Sequence, residues 1–322
     1  MSECATTAFP HRTVARVERS TVRAARRRTA GHIRKTPVFH TSVSSPSGPV
    51  PVTIKLEHLQ HGGTYEVRGS ANALLESGQD ADEVVIASGG NAGIAAALAA
   101  ARLGKTCTVV APETAPHTKV AAMWSYGAEV LWYGATYSAA LLHANDLAAD
   151  RGAVLLHAYD LPASIAGAGV VGLELEEQVR GRPPVLAPVS GGNLVAGIAA
   201  AIGRRQQVIG VEPEQVAILR AALTADGPVN VARCESIVDS LGPCRVGDIA
   251  FDIARRHGVR SLPIDEDAIG AAREYLWREF HLLVELSSAA SLAAIHSGAY
   301  VPATNERPIV VLSGANTDIS VF

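Results

Sequence analysis

The sequence has little lysine and no strong charge of either sign. Of its 28 basic residues only four are lysines (Lys35, Lys55, Lys105 and Lys119), which leaves 24 arginines. Few side chains can therefore act as amine nucleophiles. The net charge is −3 and aromatic residues make up only 5% of the chain. Without a broad basic field, we expect neither nucleic acid nor an anionic membrane as a partner.

Cysteines and long apolar runs are also scarce. Cys4, Cys107, Cys234 and Cys244 show no CxxC spacing, which predicts neither a zinc site nor a disulfide framework and favours a reduced, cytoplasmic location. The run AGIAAALAAARLG is shorter than the roughly 18 residues of a membrane helix. The arginine-rich stretch 11–32 has its valines at helical spacing and contains an acid, which favours a first domain helix over a transit peptide.

What the sequence does contain is an alternation of short apolar strands with helices. Residues 84–134 read as the strand VVIAS, the helix NAGIAAALAAARLG, the strand TCTVVAP, the helix HTKVAAMWSYG and the strand AEVLWYG. A second series runs from the helix IAGAGVVGLELEEQVRG to the strand QVIGVEPE, and SSPSGPVP predicts a break before the strand VTIKLEHL. This alternation is typical of parallel α/β sheets. We predict a large domain from 1–78 and 158–322 and a small domain from 79–157.

Three strand-to-helix turns are rich in small residues. PVSGGNLVAG starts at Pro188, and its converging backbone N–H groups at a helix start suit a phosphate. ASGGNAG starts at Ala87 and offers amides to a carboxylate, while SGAN closes the C-terminal strand at Ser313. Each turn alone also fits a tight connection without a ligand. The lysine and hydroxyl of a P-loop and the GxGxxG spacing are missing, so no nucleotide is predicted.

Taken together and in order, TYEVRG, SGGNAG, PVSGGNL and VLSGAN resemble the motifs of the fold type II pyridoxal-phosphate (PLP) enzymes. The nearest likeness is to threonine dehydratase and serine racemase, and it extends over nearly the whole chain. The resemblance implies a two-domain fold like the tryptophan synthase β subunit, with parallel twisted sheets flanked by helices. It also implies a lyase of amino-acid metabolism that takes a small amino-acid-like substrate, and a homodimer.

The resemblance also assigns residues. The implied cofactor-binding residues are Tyr65, Asn91, Ser190, Gly191, Gly192, Asn193, Leu194 and Ser313. The implied substrate-binding residues are Ser88, Gly89, Gly90, Asn91 and Ala92. Ser190 and Asn193 depart from the four glycines that the family usually has in its phosphate loop. Both still offer backbone N–H groups, although asparagine adopts positive φ less freely than glycine.

Glu66 is the largest departure. The family pattern reads Ser-Phe-Lys-x-Arg-Gly, and its lysine forms the Schiff base with PLP and moves the α-proton. Glu66 stands at the lysine position, and a carboxylate forms no imine. No other lysine lies in a motif that would replace it. PLP is therefore expected to be bound non-covalently or not at all, and Glu66 is the candidate catalytic residue.

Three interpretations of Glu66 stay open: a lesion in a dehydratase, a natural change in a repurposed protein, or a general base with a raised pKa. The main functional hypothesis is a divergent PLP-dependent hydroxy-amino-acid dehydratase, an ammonia-lyase that works by β-elimination. The alternative is a catalytically inactive homologue that binds a ligand or a partner.

Other departures narrow the chemistry further. Gly89 stands where serine racemases carry a second base, which disfavours racemisation. Their divalent-metal pattern ends in an aspartate where this chain has Ile218, six residues after Glu212, so no metal is expected. The histidines show no paired ligand spacing, and His157 and His281 are predicted to be structural or on the surface.

Overall fold

The computed structural model describes residues 16–77, 81–231, 238 and 243–321. The helices are α1 (Arg19–Arg28), α2 (Glu66–Ser77), α3 (Asn91–Arg102), α4 (His117–Ser125), α5 (Tyr137–Arg151), α6 (Pro162–Ala168), α7 (Val170–Gln178), α8 (Asn193–Ile202), α9 (Ile218–Ala225), α10 (Asp248–His257), α11 (Glu266–Phe280) and α12 (Leu286–His296). The strands are β1 (Val38–Ser45), β2 (Gly48–Leu56), β3 (Glu83–Ala87), β4 (Thr106–Ala111), β5 (Glu129–Trp132), β6 (Val154–Leu156), β7 (Val185–Pro188), β8 (Val208–Pro213), β9 (Arg260–Ile264) and β10 (Ile309–Leu312).

The smaller sheet has four strands in the order β5-β4-β3-β6, and every neighbouring pair is parallel. Parallel neighbours need crossover connections, which α3, α4 and α5 provide. Ile86 and Val109 pack with α3 and α4 on one face, whereas Val85 and Val110 pack with α5 on the other. Because helices cover both faces, the strands read as continuous apolar runs rather than as alternating ones.

The larger sheet has six strands in the order β1-β2-β10-β7-β8-β9. Only β1 and β2 are antiparallel, and the other neighbours run parallel. Ile309 and Val311 face the core that α8 shares, while Leu186 and Val310 face the core that α12 shares. One parallel and one mainly parallel sheet, both flanked by helices, confirm the predicted α/β fold class.

The break predicted from SSPSGPVP is much shorter in the structure. β1 and β2 form a hairpin in which Ser45 pairs with Gly48, and Gly48 has φ +107°. Pro49 and Pro51 therefore lie inside β2. They are tolerated because β10 pairs with β2 only from Thr53 onward, so no second neighbour requires their missing N–H groups.

The single helix predicted over 165–181 is two helices, α6 and α7, joined at Gly169. A Cβ atom on Gly169 would lie 2.7 Å from the carbonyl oxygen of Gly197 in α8. Glycine at this junction lets α6 and α7 approach the backbone of α8 closely. The N-terminal half of α8, the helix that follows β7, is therefore packed tightly against the α6–α7 junction.

A fully buried ion cluster fixes the start of α2 to the larger sheet. The Arg68 guanidinium donates to Glu57 at 2.7 Å and to Glu174 at 2.7 Å, and Lys55 donates to Glu174 at 2.6 Å. These are charge-assisted hydrogen bonds between opposite charges, as buried ions require. Because Arg68 lies two residues after Glu66, the cluster also sets where Glu66 stands.

The predictions about the cysteines, membrane helices and domain boundaries have different outcomes. Cys244 is disulfide-bonded, so the expectation of no disulfide is wrong at this residue, since spacing alone does not determine pairing. Cys107 is buried and free, while Cys4 and Cys234 lie outside the described residues. In the part of the chain that the structure describes, no helix has the length and apolarity needed to cross a bilayer. The domain boundaries stay a prediction.

Candidate active site

The turn from β7 into α8, residues 190–194, is here called the phosphate turn. Gly192 precedes α8 with φ +95°, and a Cβ atom on Gly191 would overlap the ring of Tyr159. Both positions therefore need glycine. The first amides of a helix have no intrahelical partner and carry positive potential, which suits an anion. The five predicted phosphate-binding residues are consecutive in the chain and form this turn and the first two residues of α8.

The turn from β3 into α3, residues 88–92, is here called the carboxylate turn. Ser88 Oγ accepts the backbone N–H groups of Gly90 at 3.1 Å and Gly93 at 2.9 Å, which folds the turn. A Cβ atom on Gly89 would lie 2.8 Å from the Ala115 side chain, so glycine is required there. The serine is thus part of the scaffold of this turn, and the amides at the start of α3 are its candidate anion donors.

Asn91 connects the carboxylate turn to the C-terminal part of the chain. Its Nδ2 donates to Glu285 Oε1 at 2.6 Å, and its Oδ1 accepts from Asn316 Nδ2 at 3.0 Å. Ser313 lies buried at the end of β10, and its carbonyl oxygen accepts the N–H of Tyr65 at 3.0 Å. The predicted partners of the cofactor ring therefore lie on three elements that meet at one place.

Tyr65 and Asn193 are hydrogen-bonded to each other. The Tyr65 hydroxyl donates to Asn193 Oδ1 at 2.5 Å, and both side chains are buried. Burial raises the pKa of Tyr65 well above its usual value, so the phenol keeps its proton. Where the family pattern has phenylalanine and glycine, this chain has two polar residues that satisfy one another.

Glu66 is the first residue of α2 and accepts a hydrogen bond from the Thr64 hydroxyl. The residue as a whole is partly exposed, while its carboxyl group is surrounded by protein. Burial is the main cause that raises the pKa of Glu66 to about 8; the negative charge of Glu285 acts in the same direction, and Lys119 acts against it. The group therefore exchanges a proton near neutral pH.

Lys119 lies in the same cleft, which sequence analysis did not anticipate. It belongs to the first turn of α4, it is 3% exposed, and its Nζ lies 3.3 Å from Glu285 Oε2. No motif around Lys119 marked it, because its place depends on how α4 packs beside the carboxylate turn. Neither it nor Glu285 was among the predicted site residues.

A narrow cavity lies between the two turns and is lined by Glu66, Ala92, His157 and Asn193 among others. Its free volume of about 10 Å³ has room for about one water molecule. His157 Nδ1 accepts two backbone N–H groups, so the neutral ring carries its proton on Nε2. Burial lowers the pKa of His157 to about 4, which keeps the ring neutral. A residue predicted to be structural thus borders the site.

Glu212, the candidate remnant of a metal site, has another structural role. Its carboxylate accepts the N–H groups of Leu219 and Arg220, each at 2.9 Å, and the Ser261 hydroxyl at 2.5 Å. Ile218 beside it is buried. The carboxylate therefore caps the start of α9.

The donor set fits a phosphorylated pyridine aldehyde, except at its covalent anchor. The glycine-dependent phosphate turn offers amides at a helix start, and the buried Ser313 and Asn91 offer a hydroxyl and an amide for a ring. Residue 66 offers a carboxyl group and no amine. Fold and site together define a two-sheet α/β protein with a PLP-type set of donors where the phosphate turn and the carboxylate turn meet.

The chain belongs to the family described as "Pyridoxal-phosphate dependent enzyme", whose profile matches residues 29–314. It is 31% identical over 308 residues to phenylserine dehydratase of Ralstonia pickettii, covering 94% of each chain. It is 30% identical over 304 residues to the catabolic L-threonine dehydratase TdcB of Escherichia coli, covering 92% of each. The solved structure of maize serine racemase matches with a TM-score of 0.88 at 28% identity, covering 95% of this chain and 96% of that one.

Proposed function

We propose that this protein is a divergent PLP-dependent lyase that removes water from a β-hydroxy amino acid, with Glu66 as its proton carrier. The observation that carries the proposal is the Glu66 carboxyl group, which borders the cavity with a pKa of about 8. A group that holds both protonation states near neutral pH suits general acid–base catalysis. The dehydratases and the racemase to which this chain is similar support an amino-acid substrate.

The residues that would hold the cofactor follow from the site. The phosphate turn would take the phosphate, Ser313 would face the pyridine nitrogen, and Asn91 would face the ring oxygen. When bound, PLP supplies an electron sink that makes the α-hydrogen of an amino acid acidic. The carboxylate turn would take the substrate carboxylate on the amides at the start of α3.

Proton movement is the work of the chain's own side chains. Ionised Glu66 takes the α-proton, and the same group, once protonated, offers a proton to the departing β-hydroxyl. Loss of that hydrogen and hydroxyl removes one water, and hydrolysis of the dehydrated amino acid then yields a 2-oxo acid and ammonia. The neutral His157 has an Nε2–H group with which to orient a polar substrate group.

The experiment is a comparison of Glu66→Gln with Glu76→Gln, a matched change in the exposed carboxylate on the same helix. Formation of 2-oxo acid from serine, threonine and phenylserine is measured with added PLP. We expect turnover of at least one substrate by the natural chain, unchanged in Glu76→Gln and reduced at least about 100-fold in Glu66→Gln, the usual range for a removed acid–base group. Equal turnover by both variants would remove Glu66 from the mechanism.

The alternative, an inactive homologue that binds a ligand or a partner, is distinguished by the same assay. It predicts PLP binding or none, and no turnover of any substrate by the natural chain. A homodimer in the cytoplasm remains a prediction.

A further inference from the structure

The four lysines differ in the groups that their side-chain amines contact and in how deeply they are buried. Lys35 is half-exposed in a surface ion pair. Lys55 is locked in the buried ion cluster with Glu174 at 2.6 Å. Lys105 donates to the carbonyl oxygen of Ala81, just before the central strands of the smaller sheet. Lys119 is the remaining lysine, and its amine lies in the cleft of the candidate active site.

A chain of contacts places the Lys119 amine beside the cofactor-binding residues. Its Nζ lies 3.3 Å from one oxygen of Glu285, whose other oxygen accepts from Asn91 at 2.6 Å. The Glu285 N–H donates to the Gly314 carbonyl, and Gly314 in turn pairs with Thr64 in an isolated bridge. Thr64 is the hydroxyl partner of the residue that occupies the family's lysine position. The charge of Lys119 also acts to lower the pKa of Glu66, so the amine on α4 and the carboxyl group on α2 share one cleft.

The surroundings of Lys119 combine groups that disfavour a cation with a carboxylate that compensates its charge. The positive end of a helix disfavours a cation, and Lys119 is the third residue of α4. Burial at 3% exposure also disfavours the charged form. Glu285 holds the ammonium form and is close enough to take its proton. A lysine must lose its proton before its amine can act as a nucleophile, and the Glu285 carboxylate is the group beside it that can accept that proton.

We propose that Lys119 is the amine that attaches PLP covalently to this chain, in place of residue 66. The inference rests on the proposed function, because it needs PLP in this pocket. Lys119 gives its ammonium proton to Glu285, and the neutral nitrogen then attacks the cofactor aldehyde carbon. A carbon–nitrogen double bond forms, the carbon–oxygen double bond breaks, and the oxygen leaves as water with protons from the amine.

The test is reduction of the protein with borohydride in the presence of PLP, followed by peptide mass spectrometry. Borohydride turns the carbon–nitrogen double bond into a stable secondary amine, so the pyridoxyl mass marks the attached lysine. We expect the mark on the peptide that contains Lys119, and an absorbance band in the visible before reduction. PLP is used at a one-to-one ratio, which limits labelling of the exposed Lys35.

Two matched variants make the result specific. Lys119→Arg keeps the positive charge beside Glu285 and should lose both the mark and the visible band, whereas Lys105→Arg should keep both. Circular dichroism confirms that each variant is folded. A mark on any other lysine, or a mark on Lys119 that survives only at large PLP excess, overturns the inference.

A separate measurement of PLP binding shows whether only the Lys119 attachment is wrong or whether PLP does not bind at all. If PLP binds in equilibrium dialysis and leaves no mark on the chain, Lys119 is not the anchor, while the PLP-dependent function still stands. If PLP does not bind at all, the proposed function fails together with the inference.

Discussion

At the scale of the residue, Glu66 makes the stability of the protein depend on pH. Its folded pKa of about 8 lies above the ordinary value of 4.5. Between these two values the folded chain holds the proton more tightly than the unfolded chain does. At low pH, Glu66 therefore costs the folded chain no stability. The stability of the folded chain falls as the pH rises from about 4.5 to about 8, and it stays reduced above that pH.

The change that tests this is Glu66→Gln, which keeps the shape of the protonated carboxyl group and cannot ionise. We expect the variant to have a higher melting temperature than the natural chain at about pH 8.5, and a much smaller difference at about pH 5. Differential scanning fluorimetry at both values measures this. Glu76→Gln is the control, and an equal gain at both pH values would contradict the raised pKa of Glu66.

The residues of the site were only partly predictable. The small-residue turns identified the phosphate turn and the carboxylate turn, because glycine requirements are visible in a sequence. Glu66 stood out against a known pattern. Lys119, Glu285 and His157 were missed, since each enters the cleft through the packing of a separate element, and sequence spacing does not encode that packing.

At the scale of the element, α9 depends on a carboxylate from another element. Glu212, near the end of β8, accepts two backbone N–H groups of the first turn of α9. These amides have no partner within the helix. Glu212 lies outside α9, yet its buried carboxylate caps the first turn of this helix as a local N-cap residue would.

We expect Glu212→Ala to lower the free energy of unfolding by about 1–3 kcal/mol, because it leaves buried amides without an acceptor. Urea unfolding followed by circular dichroism measures the loss. Glu214→Ala, an exposed acid on the same turn, should change stability by less than about 0.5 kcal/mol. Similar losses in both variants would show that the cap contributes little.

Most elements of the smaller sheet were predictable from the sequence, while the hairpin and the α6–α7 junction were not. The run from β3 to β5 alternates clearly because buried parallel strands are continuously apolar. The prolines of β2 indicated a break because proline usually interrupts a strand. They fit inside β2 because that part of the strand has no second neighbouring strand, which the sequence does not show. Gly169 read as an ordinary helical residue, since only the approach of α8 explains it.

At the scale of the whole molecule, the buried ion cluster joins the larger sheet, α2 and α7. Its charges balance, with Arg68 and Lys55 against Glu57 and Glu174. Removing one member leaves a buried charge without compensation, which is far more costly than losing an exposed pair.

We expect Arg68→Met to destabilise the protein by about 3–5 kcal/mol, because two buried carboxylates would share only Lys55. Arg26→Met, which removes an exposed ion pair on α1, should cost less than about 1 kcal/mol. Chemical unfolding of both variants gives the comparison. A small loss for Arg68→Met would mean that the cluster relaxes or takes up water.

The hydrogen bond between Tyr65 and Asn193 links the substitutions that the protein tolerates at these two positions. In a pocket with phenylalanine and glycine at these positions, either polar residue introduced alone would find no partner and would leave a buried hydroxyl or amide oxygen unpaired. In this chain, replacing either residue alone by an apolar one leaves the polar group of the other without its partner. The two positions are therefore energetically coupled, and changing both together leaves neither polar group unpaired.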